Sequence, residues 1–236
     1  VDSNKPTTNK NAIVVNDYRL LKVDTVDNSP ISNFQLNAFV ATIAESKANA
    51  FVLSDFRHGI FSKRTIDSLV EAIPRDAFKV ADSQVASRWG NILDFKGFDL
   101  ITPNEREARF SLGDQDSGIR SLCSNLFSAS KSKVLIMKLA DKGIITCTSE
   151  DATTLDSYFV MDSFVNNLVD PVGAGDALLA YATLAMLTTK NPVIASILGN
   201  FAAACECELD GNVPIAKANI LAKINEVEDS VNFVYR

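Results

Sequence analysis

The run from Asp170 to Met186 holds the residue types in this sequence that are best suited to chemistry. Gly173, Ala174 and Gly175 have almost no side chains, so their backbone N–H groups can approach a ligand closely. They lead into an apolar run that is typical of a buried helix opening at Asp176. A helix N-terminus offers unpaired N–H groups and the positive end of the helix dipole, which suit a phosphate or an oxyanion. The same dipole should keep the Asp176 carboxylate ionised and able to accept a proton.

A short GxG turn with Asp176 as the helix N-cap would give the same pattern without any ligand. However, the stretch DPVGAGD resembles the D-T-x-G-A-G-D signature of the ribokinase (PfkB) family of sugar and nucleoside kinases. In that family the last Asp deprotonates the substrate hydroxyl, and the GAG amides form an anion hole. The resemblance therefore implies catalytic roles for Asp176, Gly173, Ala174 and Gly175. Pro171 stands where the family usually has the Thr that adjoins a monovalent-cation site.

Asn104 and Glu107 lie in the stretch TPNEREA, at a spacing that places both on one side of a helix, where they can share a ligand. A helix start with Glu in its first turn is the structural alternative. The stretch resembles the family's T-P-N-x-x-E motif, whose Asn and Glu organise the water shell of Mg²⁺ and the phosphates of ATP. Because Mg²⁺ keeps most of its waters, one Glu is chemically sufficient. The resemblance thus implies ATP and Mg²⁺ as cofactors, with Glu107 at the metal, and in the family's usual form a monovalent cation.

Four other residues match nucleotide-binding positions of the family. The stretch KLADKG resembles the family's T-x-G-x-x-G strand end, which cradles the nucleotide phosphates, with Lys138 in place of Thr and Gly143 in place of the last Gly. Lys138 could contact a phosphate or be a solvated charge at a strand end, and the sequence leaves both open. Asn200 and Gly211 match positions that line the family's adenine pocket. A buried helix amide and a helix C-cap are the structural alternatives for them.

Two further stretches resemble the heptose-phosphate kinase branch of the family. KPTTNK followed by YRLLKVD is similar to its P-T-T-x-K and L-L-R-x-D phrases, and SDFRHG to its S-D-Y-x-K-G phrase. This implies that Lys10 and Asp55 bind the sugar. Three positions depart from the branch: Ala12 replaces an Arg, His58 replaces a Lys, and Ser83-Gln84 replaces a Pro-Lys. Since phosphate contacts need cations, these departures leave open a different sugar.

Composition excludes several classes of protein. A net charge of −6 and a pI near 4.9 argue against a nucleic-acid surface. No apolar run approaches the ~20 residues that cross a bilayer, so no membrane partner is expected. Four scattered cysteines fit a reducing cytoplasm and core packing better than a disulfide framework, and a single histidine makes a structural zinc site improbable. We therefore expect a cytoplasmic protein.

Hydrophobic periodicity predicts strands and helices in alternation. The predicted strands are 12–15, 19–24, 50–55, 78–82, 98–102, 133–138, 143–148 and 153–160, and the tail at 229–236 is expected to add a final extended piece. The predicted helices are 32–47, 62–73, one opening at 104, 115–130, one opening at 176, 192–208 and 215–227. This order predicts an α/β fold of the ribokinase-like, doubly wound type: a mostly parallel sheet with helices on both faces and antiparallel strands at one edge. Asp55, Asp82, Asn104 and Asp176 fall at or after strand ends, where such sheets bind ligands.

We expect residues 1–236 to form a single ribokinase-like kinase domain that is incomplete at its N-terminus. Family members carry further strands and a glycine-rich, sugar-gripping segment before this point, and nothing here matches them. In the family, strands equivalent to 12–24 form a lid over the sugar and often the contact of a homodimer. The implied reaction transfers the ATP γ-phosphoryl group to a hydroxyl of a sugar or sugar phosphate. A non-catalytic nucleotide- or sugar-sensing module and a nucleoside kinase remain as alternatives.

Overall fold

The computed structural model describes residues 5–15, 18–85, 91–149 and 157–234. Its strands are β1 (Asn9–Val15), β2 (Tyr18–Thr25), β3 (Ala50–Asp55), β4 (Phe78–Ser83), β5 (Leu100–Ile101), β6 (Val134–Lys138), β7 (Ile144–Cys147) and β8 (Tyr158–Met161). Its α-helices are α1 (Asn33–Glu45), α2 (Lys63–Ala72), α3 (Glu105–Leu112), α4 (Ile119–Ser130), α5 (Ala174–Thr189), α6 (Pro192–Cys207) and α7 (Lys217–Val234). Strand and helix alternate through most of the chain, as the periodicity predicts.

The main sheet has six strands in the order β3-β4-β5-β6-β7-β8. Neighbouring strands are parallel from β3 to β6, whereas β7 and β8 add antiparallel strands at one edge. The predicted fold class is thereby confirmed. The carboxyl ends of β3 to β6 meet at one edge of the sheet, so the residues that follow these strands gather there.

Alternate residues of the central strands bury two separate cores, because successive side chains in a strand point to opposite faces. Ala81, Ile101 and Leu135 pack with α2, α3 and α4 on one face. Val80 and Leu100 pack with α5 and α6 on the other. Both faces of the sheet are therefore covered, which explains the near-continuous apolar character of these strands.

Strands β1 and β2 form a separate antiparallel hairpin, with Ile13 opposite Leu21. The hairpin confirms the two extended pieces expected between residues 12 and 24, while the proposed turn at 16–17 lies outside the described residues. Within the described residues, the hairpin pairs with no strand of the main sheet. Its apolar side chains are correspondingly exposed, at 45% to 59% for Ile13, Val14, Val15, Leu20, Leu21 and Val23.

Some predicted boundaries were wrong. The tail predicted as extended from residue 229 instead continues α7 through Val234. Helix α5 begins at Ala174 with Gly173 as its N-cap, so Asp176 lies inside the first turn and is not the cap. The strand expected at 98–102 is only Leu100–Ile101. Part of the strand expected at 153–160 lies outside the described residues, and β8 covers Tyr158–Met161. No helix in the described ranges combines the length and the apolar character needed to cross a membrane.

Candidate active site

A cavity of about 1280 Å³ opens at the carboxyl ends of the parallel strands. Residues from several segments that are far apart in the sequence line it. Among the residues singled out from the sequence, its walls include Gly173, Ala174, Gly175, Asp176, Asn104, Glu107, Lys138, Gly143 and Asn200. This volume exceeds the roughly 300–1,000 Å³ that is usual for small-molecule sites. The two most specific motifs of the sequence therefore face one cleft.

The start of α5 supplies free donors to this cavity. The first intrahelical bond runs from Ala177 N–H to the Gly173 carbonyl, and no side chain caps the helix. Gly173 has φ +92°, and a Cβ on it would lie 2.4 Å from Glu206 Oε1 and 2.8 Å from Asn212 Oδ1. The positive φ and the two nearby side-chain oxygens both favour glycine at this position. The Ala174 N–H donates to the Pro171 carbonyl at 3.4 Å, whereas the N–H groups of Gly175 and Asp176 have no backbone acceptor among the described residues. These two amides can therefore receive an anion at the positive end of the helix dipole.

Asp176 lies in that first turn and is partly buried. Burial raises the pKa of its carboxyl above the usual value of 3.8, and the nearby Asp82 carboxylate raises it further. The ammonium groups of Lys138 and Lys10 act in the opposite direction. The expectation that Asp176 is ionised at neutral pH stays a prediction, because a pKa raised above 3.8 can still lie below 7. A raised pKa makes the ionised carboxylate a stronger base.

Asn104 and Glu107 form a capping box at the start of α3. The backbone N–H of each donates to the side-chain oxygen of the other, at 2.7 and 2.8 Å. Glu107 is buried, which raises its pKa, while Lys138 lowers it. The structural alternative for this motif is therefore realised. Because both residues also line the cavity, the cap places a buried carboxylate beside the ligand space.

Lys138 is neither solvated nor free. Its Nζ lies 3.1 Å from Asp82 Oδ1 and 3.2 Å from Oδ2, and its side chain is 17% exposed. The pair joins the ends of β4 and β6, two strands apart in the sheet. Asp82 was placed at the strand-end rim from the sequence but was given no role there. The only signal for it in the sequence was this position.

The three remaining nucleotide-binding candidates differ in their placement. Asn200 Nδ2 donates to the Asp162 carbonyl at 2.8 Å, which satisfies this buried amide within the fold. Gly143 has φ +84°, and a Cβ there would lie 2.1 Å from the Met161 carbonyl oxygen, so the close approach of β8 requires glycine. Gly211 is not among the cavity residues and does not cap α6, whose C-cap is Glu208.

Asp55 is buried away from the large cavity, in a network of its own. Its Oδ2 lies 2.8 Å from Arg57 Nε, and its Oδ1 accepts from the Arg57 backbone N–H at 2.8 Å. Arg57 also donates to Ser83 Oγ at 3.0 Å. Burial raises the Asp55 pKa, and the Arg57 guanidinium opposes that rise. The Asp55 carboxylate, which was expected to bind the sugar, is already paired with Arg57. Arg57 was not among the residues singled out from the sequence.

Lys10 extends from the hairpin toward the strand-end rim. Its Nζ lies 5.3 Å from the centre of the Phe56 ring, and its charge lowers the pKa of Asp176. Burial lowers the pKa of His58, and Lys10 lowers it further, so this imidazole is not a substitute for a permanent cation. Of the two sugar-binding candidates, Lys10 and Asp55, only Lys10 is among the groups that shift the pKa of Asp176.

The described residues contain no group of three or more His, Cys, Asp or Glu side chains that could hold a metal ion by themselves. A Mg²⁺ ion that arrives with phosphates needs only one or two carboxylates, and the cavity offers Glu107. The donor set therefore fits a phosphate-bound Mg²⁺. All four cysteines are buried free thiols, as expected for core residues.

Residues 2–215 match the family described as pfkB family carbohydrate kinase. The chain therefore belongs to the pfkB family of carbohydrate kinases, which supports a phosphotransferase role. Among curated relatives, the chain is 25% identical over 179 residues to the bifunctional protein HldE of Wolinella succinogenes, covering 75% of this chain and 36% of that protein. It is 22% identical to the HldE protein of Sulfurimonas denitrificans, covering 98% of this chain and 47% of that protein. The chain thus spans less than half the length of these relatives.

Solved structures share the fold at low sequence identity. Ribokinase from Giardia lamblia superposes with a TM-score of 0.71 at 17% identity, covering 96% of this chain and 73% of that chain. Phosphofructokinase-2 from Escherichia coli in complex with potassium superposes with a TM-score of 0.70 at 14% identity, covering 89% and 66%. These likenesses confirm the ribokinase-like fold.

Proposed function

We propose that this chain is the nucleotide-binding and catalytic part of an ATP-dependent sugar kinase, with Asp176 as the general base. One observation carries the proposal: Asp176 and the uncapped start of α5 share a cavity with the Asn104–Glu107 pair. An anion hole, a base and an acidic group for a metal are the parts that phosphoryl transfer needs. Family membership supports the reaction type.

In the proposed reaction, Asp176 accepts the proton of the sugar hydroxyl as its oxygen attacks the γ-phosphorus of ATP. The N–H groups of Gly175 and its neighbours hold the charge on the transferred group, and the fixed cavity positions the reactants. Glu107 would hold Mg²⁺ through its water shell, and the ion would supply charge neutralisation on the phosphates. Since two N–H groups occupy part of the Glu107 carboxylate, its remaining lone pairs would serve the waters.

We propose a heptose phosphate or a related sugar phosphate as the acceptor. The likeness to HldE proteins and the Lys10 charge near Asp176 support an anionic sugar. A segment outside this chain, or a second chain, would complete the grip on the sugar. A monovalent cation near Pro171 is a further proposal, supported by the likeness to a phosphofructokinase-2 that contains potassium.

We also propose that residues 12–24 serve as a lid and as the contact of a homodimer. Six apolar side chains of the hairpin are about half exposed. An exposed, apolar, two-stranded edge tends to pair with another chain. Two hairpins packed against each other would remove this surface from water.

The function is tested with the full-length gene product, by measuring ADP release on a panel of sugars, sugar phosphates and nucleosides. The Asp176→Asn variant should lose about 10²- to 10⁴-fold in kcat, as expected for loss of a general base. ATP affinity should stay unchanged. Asp67→Asn removes an exposed carboxylate from α2, which does not line the cavity, and should retain full activity.

Three outcomes would change the proposal. Equal turnover by the wild type and Asp176→Asn would remove the base assignment. Tight ATP binding without turnover of any acceptor would favour a nucleotide-sensing module. Consumption of a nucleoside, with no turnover of sugars, would favour a nucleoside kinase.

A further inference from the structure

The Lys138 ammonium sits among three carboxylates of the cavity. It is paired with Asp82 through both carboxylate oxygens, at 3.1 and 3.2 Å. Its charge also lowers the pKa of Asp176 and of Glu107. Both partners of the pair are largely withdrawn from solvent, with side-chain exposures of 17% and 5%. One ammonium group thus pairs with Asp82 and also interacts electrostatically with Asp176 and Glu107.

The same ammonium lies against the proposed anion hole. A Cβ built on Gly175 would be 3.3 Å from Lys138 Nζ and 3.9 Å from its Cδ. Gly175 therefore leaves the room that the lysine side chain occupies above the first turn of α5. An anion bound to the amides of that turn would meet the ammonium from the other side. Asp176, one residue further on, would face the same anion.

We infer that Lys138 is a catalytic residue that contacts the γ-phosphoryl group during its transfer, and that Asp82 positions it. The inference rests on the proposed function. In the step, the hydroxyl oxygen bonds to the γ-phosphorus while the bond from that phosphorus to the bridging oxygen breaks. ADP leaves with the electron pair, and the hydroxyl proton goes to Asp176. Lys138 keeps its proton and offsets charge on the non-bridging oxygens.

Asp82 explains why the ammonium stays in place before ATP binds. A lysine has a flexible four-carbon stem, and a largely buried ammonium is costly without a partner. The two-oxygen contact with Asp82 satisfies the charge and fixes the end of the stem near Gly175. The contact keeps the local charge balanced, because Asp82 raises the Asp176 pKa whereas Lys138 lowers it. The pair therefore supplies a cation to the phosphoryl group, and Asp82 offsets the lowering of the Asp176 pKa that Lys138 causes.

The first test compares ATP with ADP, because only ATP carries the γ-phosphoryl group. Isothermal titration calorimetry of the full-length gene product with each nucleotide and Mg²⁺ gives both affinities. The Lys138→Met variant should bind ATP about tenfold or more weakly, as for a lost charge-assisted contact, and ADP as the wild type does. Lys47→Met removes an exposed lysine that does not line the cavity, and this variant should bind both nucleotides unchanged. Unchanged ATP affinity in Lys138→Met, or an equal loss for ADP, would overturn the γ-phosphoryl contact.

Removing Lys138 alone leaves Asp82 buried without its cation, so the double variant Lys138→Met/Asp82→Asn keeps the site neutral if the single variant does not fold. The same ATP-specific loss is expected of it. The Asp82→Asn variant alone should lose part of the discrimination between ATP and ADP, because the ammonium is no longer held. Full discrimination in Asp82→Asn would remove the positioning role.

Turnover provides a second readout. Lys138→Met should lower kcat with little change in the KM for the sugar, and Lys138→Cys treated with 2-bromoethylamine should recover activity. In that reaction the thiolate displaces bromide and restores an ammonium at the same reach. A wild-type kcat in Lys138→Met would contradict the catalytic role of Lys138 and would leave the kinase assignment unaffected. An absence of turnover in the wild type would instead contradict the kinase assignment. The comparison of ATP and ADP affinities would still test whether Lys138 contacts the γ-phosphoryl group.

Discussion

Asn104 and Glu107 cap the start of α3 reciprocally. The Asn104 N–H donates to Glu107 Oε2 at 2.7 Å, and the Glu107 N–H donates to Asn104 Oδ1 at 2.8 Å. A backbone hydrogen bond from Val85 also reaches the Glu107 carboxylate. This carboxylate is thus part of the helix cap and part of the cavity wall. The structural and functional interpretations of the motif are therefore compatible, and substitutions can separate them.

Glu107→Gln should separate the two roles, because glutamine can still accept the Asn104 N–H but carries no charge. We expect its free energy of unfolding to stay within about 1 kcal/mol of the wild type, since only a cap is perturbed. The Mg²⁺ concentration for half-maximal activity should rise about tenfold or more. Asn104→Ala should cost about 1 kcal/mol of stability, because it removes the side-chain oxygen that accepts the Glu107 N–H. A wild-type Mg²⁺ requirement in Glu107→Gln would exclude the metal-side role.

Asp176→Asn should make the fold more stable at neutral pH. The Asp176 pKa is raised in the folded state, chiefly by burial, so its ionised form is disfavoured by folding. Its contribution is fully favourable below the unfolded value near 3.8 and is lost as pH rises through the folded value. The variant's advantage should therefore appear at pH 7 and fade toward pH 3.8, in urea denaturation midpoints. Asp114→Asn should behave oppositely, because hydrogen bonds from Ser117 lower the Asp114 pKa. A less stable Asp176→Asn protein at pH 7 would contradict this account.

Gly173→Ala should destabilise the fold more than Gly97→Ala, which changes another glycine with a positive φ. A Cβ at Gly173 meets Glu206 and Asn212, whereas Gly97, with φ +72°, has nothing within 4 Å of a Cβ. Both substitutions carry the cost of a left-handed residue, roughly 1 kcal/mol. The crowding at Gly173 should add about 1–3 kcal/mol, the range for overpacking. Equal unfolding free energies for the two variants would show that the space above Gly173 opens freely.

Leu21→Glu should prevent the proposed dimer by placing a charge in the apolar face of the hairpin. Leu21 is 52% exposed in the single chain and lies opposite Ile13. Sedimentation velocity should show the variant as a monomer at concentrations where the wild type dimerises. Leu184→Glu changes an equally exposed leucine on α5, at 57%, and should leave the assembly intact. A monomeric wild type, or a dimeric Leu21→Glu protein, would count against the hairpin contact.

Much of this fold could be predicted because its determinants are local. Ser32 and Asn104 cap α1 and α3 through side chains that bond to the backbone only three residues further on. Helix starts of this kind can be predicted from the sequence because the partners are so close along the chain. The start of α5 was misplaced because Gly173 adopts φ +92° beneath Glu206 and Asn212, which approach it only in the folded chain. The tail after residue 229 was misread because DSVNFVYR is short and its mixture of polar and apolar residues fits a strand as well as a helix, whereas α7 continues through it to Val234.

The sequence by itself determined the two contiguous motifs, at Asn104–Glu107 and Gly173–Asp176, because their chemistry lies within a few residues of chain. Only the tertiary structure decided that Lys138 pairs with Asp82, 56 residues away, and that Arg57 donates to Ser83, 26 residues away. The parallel sheet brings strand ends together that are far apart in sequence, and no spacing rule encodes which of their side chains meet. The pKa direction of Asp176 depended on the same step, because burial is a property of the packed chain.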